Sequence, residues 1–345
     1  MRLSTSTKTI LWAVAGLASL ASIRAALAQK RKFDFRGKTV VITGGSRGLG
    51  LELARLFARE GATLALCARQ ADELTYAQQE LENSGGLVFT QVCDITDKTQ
   101  AERFIQSVRQ EVGPIDVLVN NAGVISVSPF EHVTETDFRE AMDTHFWGAF
   151  HLINAALPQM LERAKRGESS GRIVNIASVG GKISVPHLLP YSASKFTMVG
   201  YSEGLRAALQ EYGIYVTTIC PGLMRTGSPR NATFKGQHRK EYAAFKIADS
   251  IPLFTMNSAQ AAREIVEACR YGEAERILGG PAKLASAIQG VAPGLLAEIM
   301  GFVNTLLPNP GGIGEQPTTG IASETALSSS FLTKLTNEAA KRNNE

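Results

Sequence analysis

Cysteine is scarce in this chain of 345 residues: Cys67, Cys93, Cys220 and Cys269 are the four, with no C-x-x-C pair and no flanking histidine cluster. That spacing argues against a zinc site and against a disulfide framework, and it fits reduced thiols in a cytosolic compartment. No metal is expected. Charge of either sign is modest and nearly balanced, 36 Lys and Arg against 32 Asp and Glu, for a formal net charge of +4. The basic residues are spread along the chain and not gathered into the stripe that phosphate-backbone binding needs, so nucleic acid is not an expected partner. Internal repeats and low-complexity tracts are also lacking.

Long hydrophobic runs are absent with one exception. Ile10 to Ile23 carries no charge, and Arg24 is followed by a further apolar stretch, Ala25 to Ala28. The run is short of the roughly 20 residues a span requires, but with Arg24 snorkelling to the interface it reaches marginal length. Ala26, Leu27 and Ala28 also read as a signal-peptidase site. Arg2 and Lys8 precede the run, whereas Arg24, Lys30, Arg31, Lys32, Arg36 and Lys38 follow it. That asymmetry favours keeping the following domain on the cytoplasmic side. The expectation is a membrane-associated protein in which residues 1–34 are an apolar anchor, as a transmembrane helix, plus a basic linker; the alternative is a soluble cytoplasmic protein whose first helix has no membrane role.

From Thr39 onward, short β-branched and apolar runs alternate with helix-length segments. The runs are Thr39 to Thr43, Leu64 to Ala68, Val88 to Cys93, Val117 to Asn120, Ile173 to Ala177 and Tyr215 to Cys220. The intervening segments, such as Leu49 to Glu60, Lys98 to Val112, Glu135 to Leu161 and Tyr191 to Tyr212, show helical apolar spacing. Parallel strands joined by crossover helices follow from such alternation, giving an α/β, doubly wound parallel sheet, the Rossmann fold. One domain over residues 35–278 is expected, followed by an extension, 279–345, that reads as an appendage.

The first strand runs into Gly44, Gly45, Ser46, Arg47, Gly48, Leu49 and Gly50 and then directly into a helix. Backbone amides at a helix N-terminus make a pyrophosphate cradle, and glycines stand where a Cβ would collide with ligand or strand. The second strand ends at Ala68 and Arg69 with no carboxylate. A carboxylate there would bind the ribose 2′-hydroxyl of NAD and repel a 2′-phosphate, whereas Arg69 and Arg47 offer that phosphate charge-assisted donors; NADP(H) is the expected cofactor. Asn120, Asn121, Ala122 and Gly123 follow the fourth strand and Asp94 follows the third, at the carboxyl edge where a dinucleotide lies.

The most specific constellation is Tyr191, Ser192, Ala193, Ser194 and Lys195, with Ser178 just past the strand Ile173 to Ala177. Four residues apart on a helix, Tyr191 and Lys195 share a face, so an ammonium beside the phenol is expected to lower its pKa and let it exchange a proton with an alcohol or alkoxide. Ser178 can hydrogen-bond the same oxygen.

Taken together, T-G-x-x-x-G-x-G at Thr43 to Gly50, N-N-A-G at Asn120 to Gly123, Ser178, Y-x-A-S-K at Tyr191 to Lys195 and P-G-x-x-x-T at Pro221 to Thr226 resemble the short-chain dehydrogenase/reductase family, over roughly Phe35 to Leu278. The resemblance implies an NADP(H)-dependent oxidoreductase moving hydride between a nicotinamide and a carbonyl or alcohol. By it, Tyr191 is the general acid/base and Ser178 positions the carbonyl. Lys195 also holds the nicotinamide ribose, while Pro221, Gly222 and Thr226 flank the nicotinamide. Homodimers or homotetramers built on the helices around Asp137 to Leu161 and Tyr191 to Tyr212 are implied as well. One departure stands out: where the family commonly has an Asn in the helix before the catalytic serine, its backbone holding a water that links the lysine to solvent, this chain has His145, which could itself relay protons.

Between Pro221 and Gln260 no strand is evident, and Arg225, Arg230, Lys235, His238, Arg239, Lys240 and Lys246 lie among Phe234, Phe245, Leu253, Phe254 and Met256. This reads as a substrate lid with a solvated basic helix. Its aromatics, with the apolar 282–307 segment, point to a small lipophilic carbonyl or alcohol. Two alternatives stand beside this reading: a soluble 3-oxoacyl reductase whose basic lid meets an acidic carrier, and a catalytically silent NADP-binding regulatory protein.

Overall fold

The computed structural model describes residues 12, 19, 22–23, 25–168, 171–252, 255–330 and 333–345. Seven strands form its central sheet: β1 (Thr39–Thr43), β2 (Thr63–Ala68), β3 (Leu87–Val92), β4 (Ile115–Asn120), β5 (Arg172–Ile176), β6 (Tyr215–Pro221) and β7 (Glu275–Leu278). They lie in the order β3-β2-β1-β4-β5-β6-β7, every neighbouring pair parallel. The order reverses between β1 and β4, and the carboxyl ends of the strands open a crevice there, the usual ligand position of a doubly wound sheet.

Helices α1 (Gly48–Arg59), α2 (Ala71–Asn83), α3 (Lys98–Glu111), α4 (Glu135–Met142), α5 (Gly148–Lys165), α6 (Leu189–Leu209), α7 (His238–Ala248), α8 (Ser258–Arg270), α9 (Gly280–Val291), α10 (Pro293–Thr305) and α11 (Lys334–Arg342) complete the main elements. Alternation along β1 divides the core: Val40 and Ile42 pack with Leu53 and Phe57 of α1 and Ile265 of α8, whereas Val41 packs with Phe104 and Val108 of α3 and Leu152 of α5. Strands buried on both faces read as near-continuous apolar runs, which is why β1, β2 and β4 to β6 are visible in the sequence. The seventh, Glu-Arg-Ile-Leu, is a short edge strand whose Glu275 pairs with Lys182 and whose Arg276 pairs with Glu273.

Four expectations are corrected. The helix expected over 135–161 is divided, because Asp143–Trp147 forms a π turn between α4 and α5. The segment after Pro221 is not strandless: Leu223–Arg225 pairs with Thr255–Asn257, and Thr233–Phe234 pairs with Ser126–Val127 and Thr318–Thr319. Its basic helix is solvated only in part: Arg239 and Lys240 are exposed, but Lys246 is fully buried 2.9 Å from Glu324 of the extension, and Lys235, just before the helix, is buried against Asp137 at 2.6 Å. Finally, the extension is no appendage, since its last residues return to the N-terminus of α1. Leu253 and Phe254 lie outside the described residues.

Most of Ile10 to Ile23, and Arg24, also lie outside the described residues. Among the described residues no helix is long and apolar enough to cross a membrane, so the expected transmembrane helix is not supported. The most apolar described helices, α9 and α10, have 12 and 13 residues, well below the roughly 20 needed.

Candidate active site

β1 ends at the glycine loop, and the loop is fastened to the end of β4. Thr43 Oγ1 accepts the backbone N–H groups of Asn121 and Ala122, each at 3.0 Å, while Asn121 Nδ2 donates to the Thr43 and Gly44 carbonyls at 2.9 and 3.1 Å. Asn120 Nδ2 donates to Asn175 Oδ1 at 2.8 Å, tying β4 to β5. The Asn-Asn pair therefore stitches three strand ends beneath the crevice. Gly48 has φ +56°, and a Cβ at Gly50 would run into the Gly44 carbonyl. No side chain caps α1, and its first residues, Gly48 and Leu49, line the crevice. Such an end is a seat for an anion.

Arg69, at the end of β2, is exposed and lines the crevice with Arg47. Arg47 is not free: its Nη1 lies 2.6 Å from Glu73, which also accepts from Ser46 Oγ at 3.0 Å. Asp94 turns back on its own loop, taking the Thr96 N–H and hydroxyl at 3.0 and 2.8 Å, and lines the wall opposite. The Cys67 and Cys93 thiols hydrogen-bond each other beneath this wall, with Cys67 pushed up and Cys93 pulled down by the contact; all four cysteines are free and buried.

At the other end, Ser178 Oγ accepts the Gly180 N–H at 3.0 Å and acts on the Tyr191 phenol, pulling its pKa down. Lys195 Nζ donates to the Ile176 carbonyl at 2.9 Å and lies 5.6 Å from the centroid of the Tyr191 ring. The expected lowering of the phenol by this ammonium is not found in this state. Burial pushes Tyr191 up, with only the Ser178 hydrogen bond acting the other way, and burial holds Lys195 down at about 7. Both groups are thus poised on the neutral side: a phenol that keeps its proton and an amine close to half-charged at neutrality.

His145 sits in the π turn, 2% exposed, with Nε2 3.1 Å from the Val124 N–H and its ring at right angles to Tyr191, 5.4 Å between centroids. Burial, then the neighbouring Lys195, keep its pKa well below the usual imidazole range. A proton relay through His145 would therefore start from the neutral ring.

One cleft of about 310 Å³ gathers Gly44, Ser46, Arg47, Gly48, Leu49, Arg69, Asp94, Asn121, His145, Ser178, Tyr191, Lys195, Pro221, Gly222 and Thr226. Gly50 lies just behind it against Gly44. Three lining residues had no signal that sequence reasoning used: Glu73, Asn231 and Glu345. Glu73 carried a weak one, a carboxylate in the first turn of α2, but nothing local announces that a residue nearly 300 positions away reaches the glycine loop. Glu345 is buried and its carboxyl is pushed up to about 7 by that burial.

Residues 38–235 match the family model described as short chain dehydrogenase. The chain is similar to dehydrogenase/reductase SDR family member 7B of Bos taurus, 32% identical over 272 residues, covering 77% of this chain and 81% of that one. It is similar to gluconate 5-dehydrogenase of Gluconobacter oxydans, 32% identical over 194 residues, covering 56% and 74%. Among solved structures, the actinorhodin polyketide ketoreductase with NADPH superposes with a TM-score of 0.63 at 30% identity, covering 71% of this chain and 97% of that one.

Proposed function

The chain belongs to the short-chain dehydrogenase family, and from that premise we infer that it is an NADP(H)-dependent oxidoreductase in which Tyr191 exchanges the proton while hydride passes between a nicotinamide and a carbonyl or alcohol carbon. The observation that carries this reading is the shared cleft: Ser178, Tyr191 and buried Lys195 line it together with the glycine loop and Arg69. The residues fit the cofactor. The N-terminus of α1, which no side chain caps, suits a pyrophosphate, and no carboxylate stands at the tip of β2 where one would reject a 2′-phosphate. Bound there, the nicotinamide supplies or accepts the hydride.

The chain's own residues do the rest. Ser178 offers its hydroxyl to the substrate oxygen, and the protonated Tyr191 phenol gives that oxygen its proton in the direction of reduction. Lys195, when charged, lowers the cost of the resulting tyrosinate and can hold the ribose hydroxyls. A lipophilic substrate and contact with a membrane surface are the finer half of the reading; support comes from Leu284, Leu295, Phe302 and Leu306, all more than half exposed on and just after α9 and α10. The testing experiment is NADPH oxidation against a panel of hydrophobic carbonyls with Tyr191→Phe alongside and NADH as control. A loss of about 10²-fold or more in turnover is expected for the variant, with NADPH binding retained. Tight NADPH binding without turnover by the wild type would move the assignment to a cofactor-binding regulatory protein.

A further inference from the structure

The glycine loop is already occupied, and the occupant belongs to the chain. The Gly48 N–H, an amide at the N-terminus of α1, donates to the Asn343 carbonyl at 2.8 Å. The Glu345 carboxylate lies beside it: a Cβ at Gly48 would come within 2.6 Å of Glu345 Oε1, so the space that this glycine keeps open is filled by the acid. Arg47 Nε stands 3.8 Å from the same carboxylate, and Asn231 donates to it. Asn344 Nδ2 donates to the Ser46 carbonyl at 3.0 Å. Asn344 is itself held left-handed at φ +59°, an uncommon conformation outside glycine that Asn tolerates better than most.

This is an anchored contact and not a loose end. Arg55 donates to the Arg342 carbonyl at 2.8 Å and to Asn343 Oδ1 at 3.2 Å, Arg342 bonds Glu52 and Ser258 at 3.1 and 2.8 Å, and Asn343 is fully buried. Gly227, at φ +103°, gives the backbone room, since a Cβ there would meet Ala340 at 2.6 Å. A pyrophosphate cannot take the Gly48 amide and the space beside it while Asn343 and Glu345 fill them, and the ionised form of Glu345 would add charge repulsion.

We propose that residues 334–345 form an autoinhibitory strap: the Asn343 carbonyl and the Glu345 carboxylate occupy the seat of the cofactor pyrophosphate, and NADP(H) binds as the strap lifts. The proposal rests on the cofactor reading above and adds a competitor for the same amides. Whatever draws the strap away, a basic partner surface for instance, would then raise cofactor affinity without touching the reacting groups.

The test is calorimetric titration with NADPH of the wild type, Glu345→Gln and the chain lacking residues 343–345, with limited trypsin digestion at Lys341 and Arg342 in parallel. Glu345→Gln is expected to lower Kd about tenfold, the shortened chain at least as far, and saturating NADPH is expected to speed trypsin cleavage of the wild type as the strap lifts. Equal or weaker NADPH binding in both variants, or protection of Lys341 and Arg342 by NADPH, overturns the strap and leaves the cofactor assignment standing. Failure of all three proteins to bind NADPH overturns both.

Discussion

His145 Nδ1 lies 2.7 Å from Ser194 Oγ, and that hydroxyl donates to the Tyr191 carbonyl at 2.8 Å. The Val124 N–H, which can only donate, points at Nε2; the ring is therefore neutral with its proton on Nδ1, and Ser194 accepts from it. A chain of three hydrogen bonds thus runs from the loop after β4 through the π turn of His145 to the turn of α6 that carries Tyr191. Protonating the imidazole would set two donors face to face at Val124. We propose that His145 is a positioning residue for the phenol.

Replacing His145 by Ala would leave the half-buried Val124 amide without its partner, at a cost of about 1–3 kcal/mol, while the Ser194 hydroxyl keeps the Tyr191 carbonyl and loses only the donor from the ring. Asn reaches Ser194 from the Nδ1 side but not Val124, so the expected order of stability is wild type, His145→Asn, His145→Ala. Turnover should fall in the same order with KM for NADPH little changed. Equal losses for Asn and Ala, in urea midpoints and in kcat, would show that the Ser194 bond contributes nothing.

Lys195 makes a pH signature in stability. Burial lowers its pKa from 10.5 to about 7, so between those values the unfolded chain binds a proton that the fold refuses. Stability then rises with pH across that window: the penalty is absent above the unfolded-state value and complete below the folded one. Lys195→Met should raise the urea midpoint at pH 7 and flatten its rise between pH 7 and 10, a difference of roughly a few kcal/mol at the lower end. Parallel curves for the two proteins would mean that Lys195 is charged throughout.

Much of this was legible in the sequence because burial and tight turns write locally. The β1, β2 and β4 to β6 runs are continuous in Val, Ile, Leu and Thr because both faces are covered. The glycine loop shows itself because its close approaches permit nothing else. What was not legible depends on pairings distant in sequence. Lys246 looks like a surface charge until Glu324 and the extension cover it. Cys67 and Cys93, 26 positions apart, meet because β2 and β3 are neighbours. The direction of the Tyr191 shift is not legible from spacing, which reveals the adjacent ammonium and not the desolvation that pushes the phenol up.

Cofactor selectivity follows from the charges at the adenosine end. Arg69 is exposed there, while Arg47 is offset by Glu73 at 2.6 Å. Arg69→Ala should therefore weaken NADPH binding about tenfold and leave NADH nearly unaffected, since one charge-assisted bond to phosphate is worth that much. Glu73→Gln frees Arg47 and should strengthen NADPH binding in the same titration. Parallel changes for NADPH and NADH would place the 2′-phosphate away from both arginines.

The aromatic cluster at the junction of α5 and α6 bears on assembly. Phe146 packs edge-on against Trp147 and Tyr201, at 4.8 and 5.4 Å between centroids, with Phe150 beside them. Trp147 and Phe196 nonetheless keep 43% and 42% of their surface open. A large aromatic ring half in water, beside others already packed, is the composition of an interface centre and not of a solvated helix face. These are also the helices on which the family resemblance places the subunit contact. Trp147→Glu sets a charge in that centre, and light scattering on the eluting protein should show a fall from a dimer or tetramer to a smaller species, with the monomer's fold retained by circular dichroism. An unchanged mass would put the contact on another face, and a wild type that already elutes as a monomer would remove the assembly altogether.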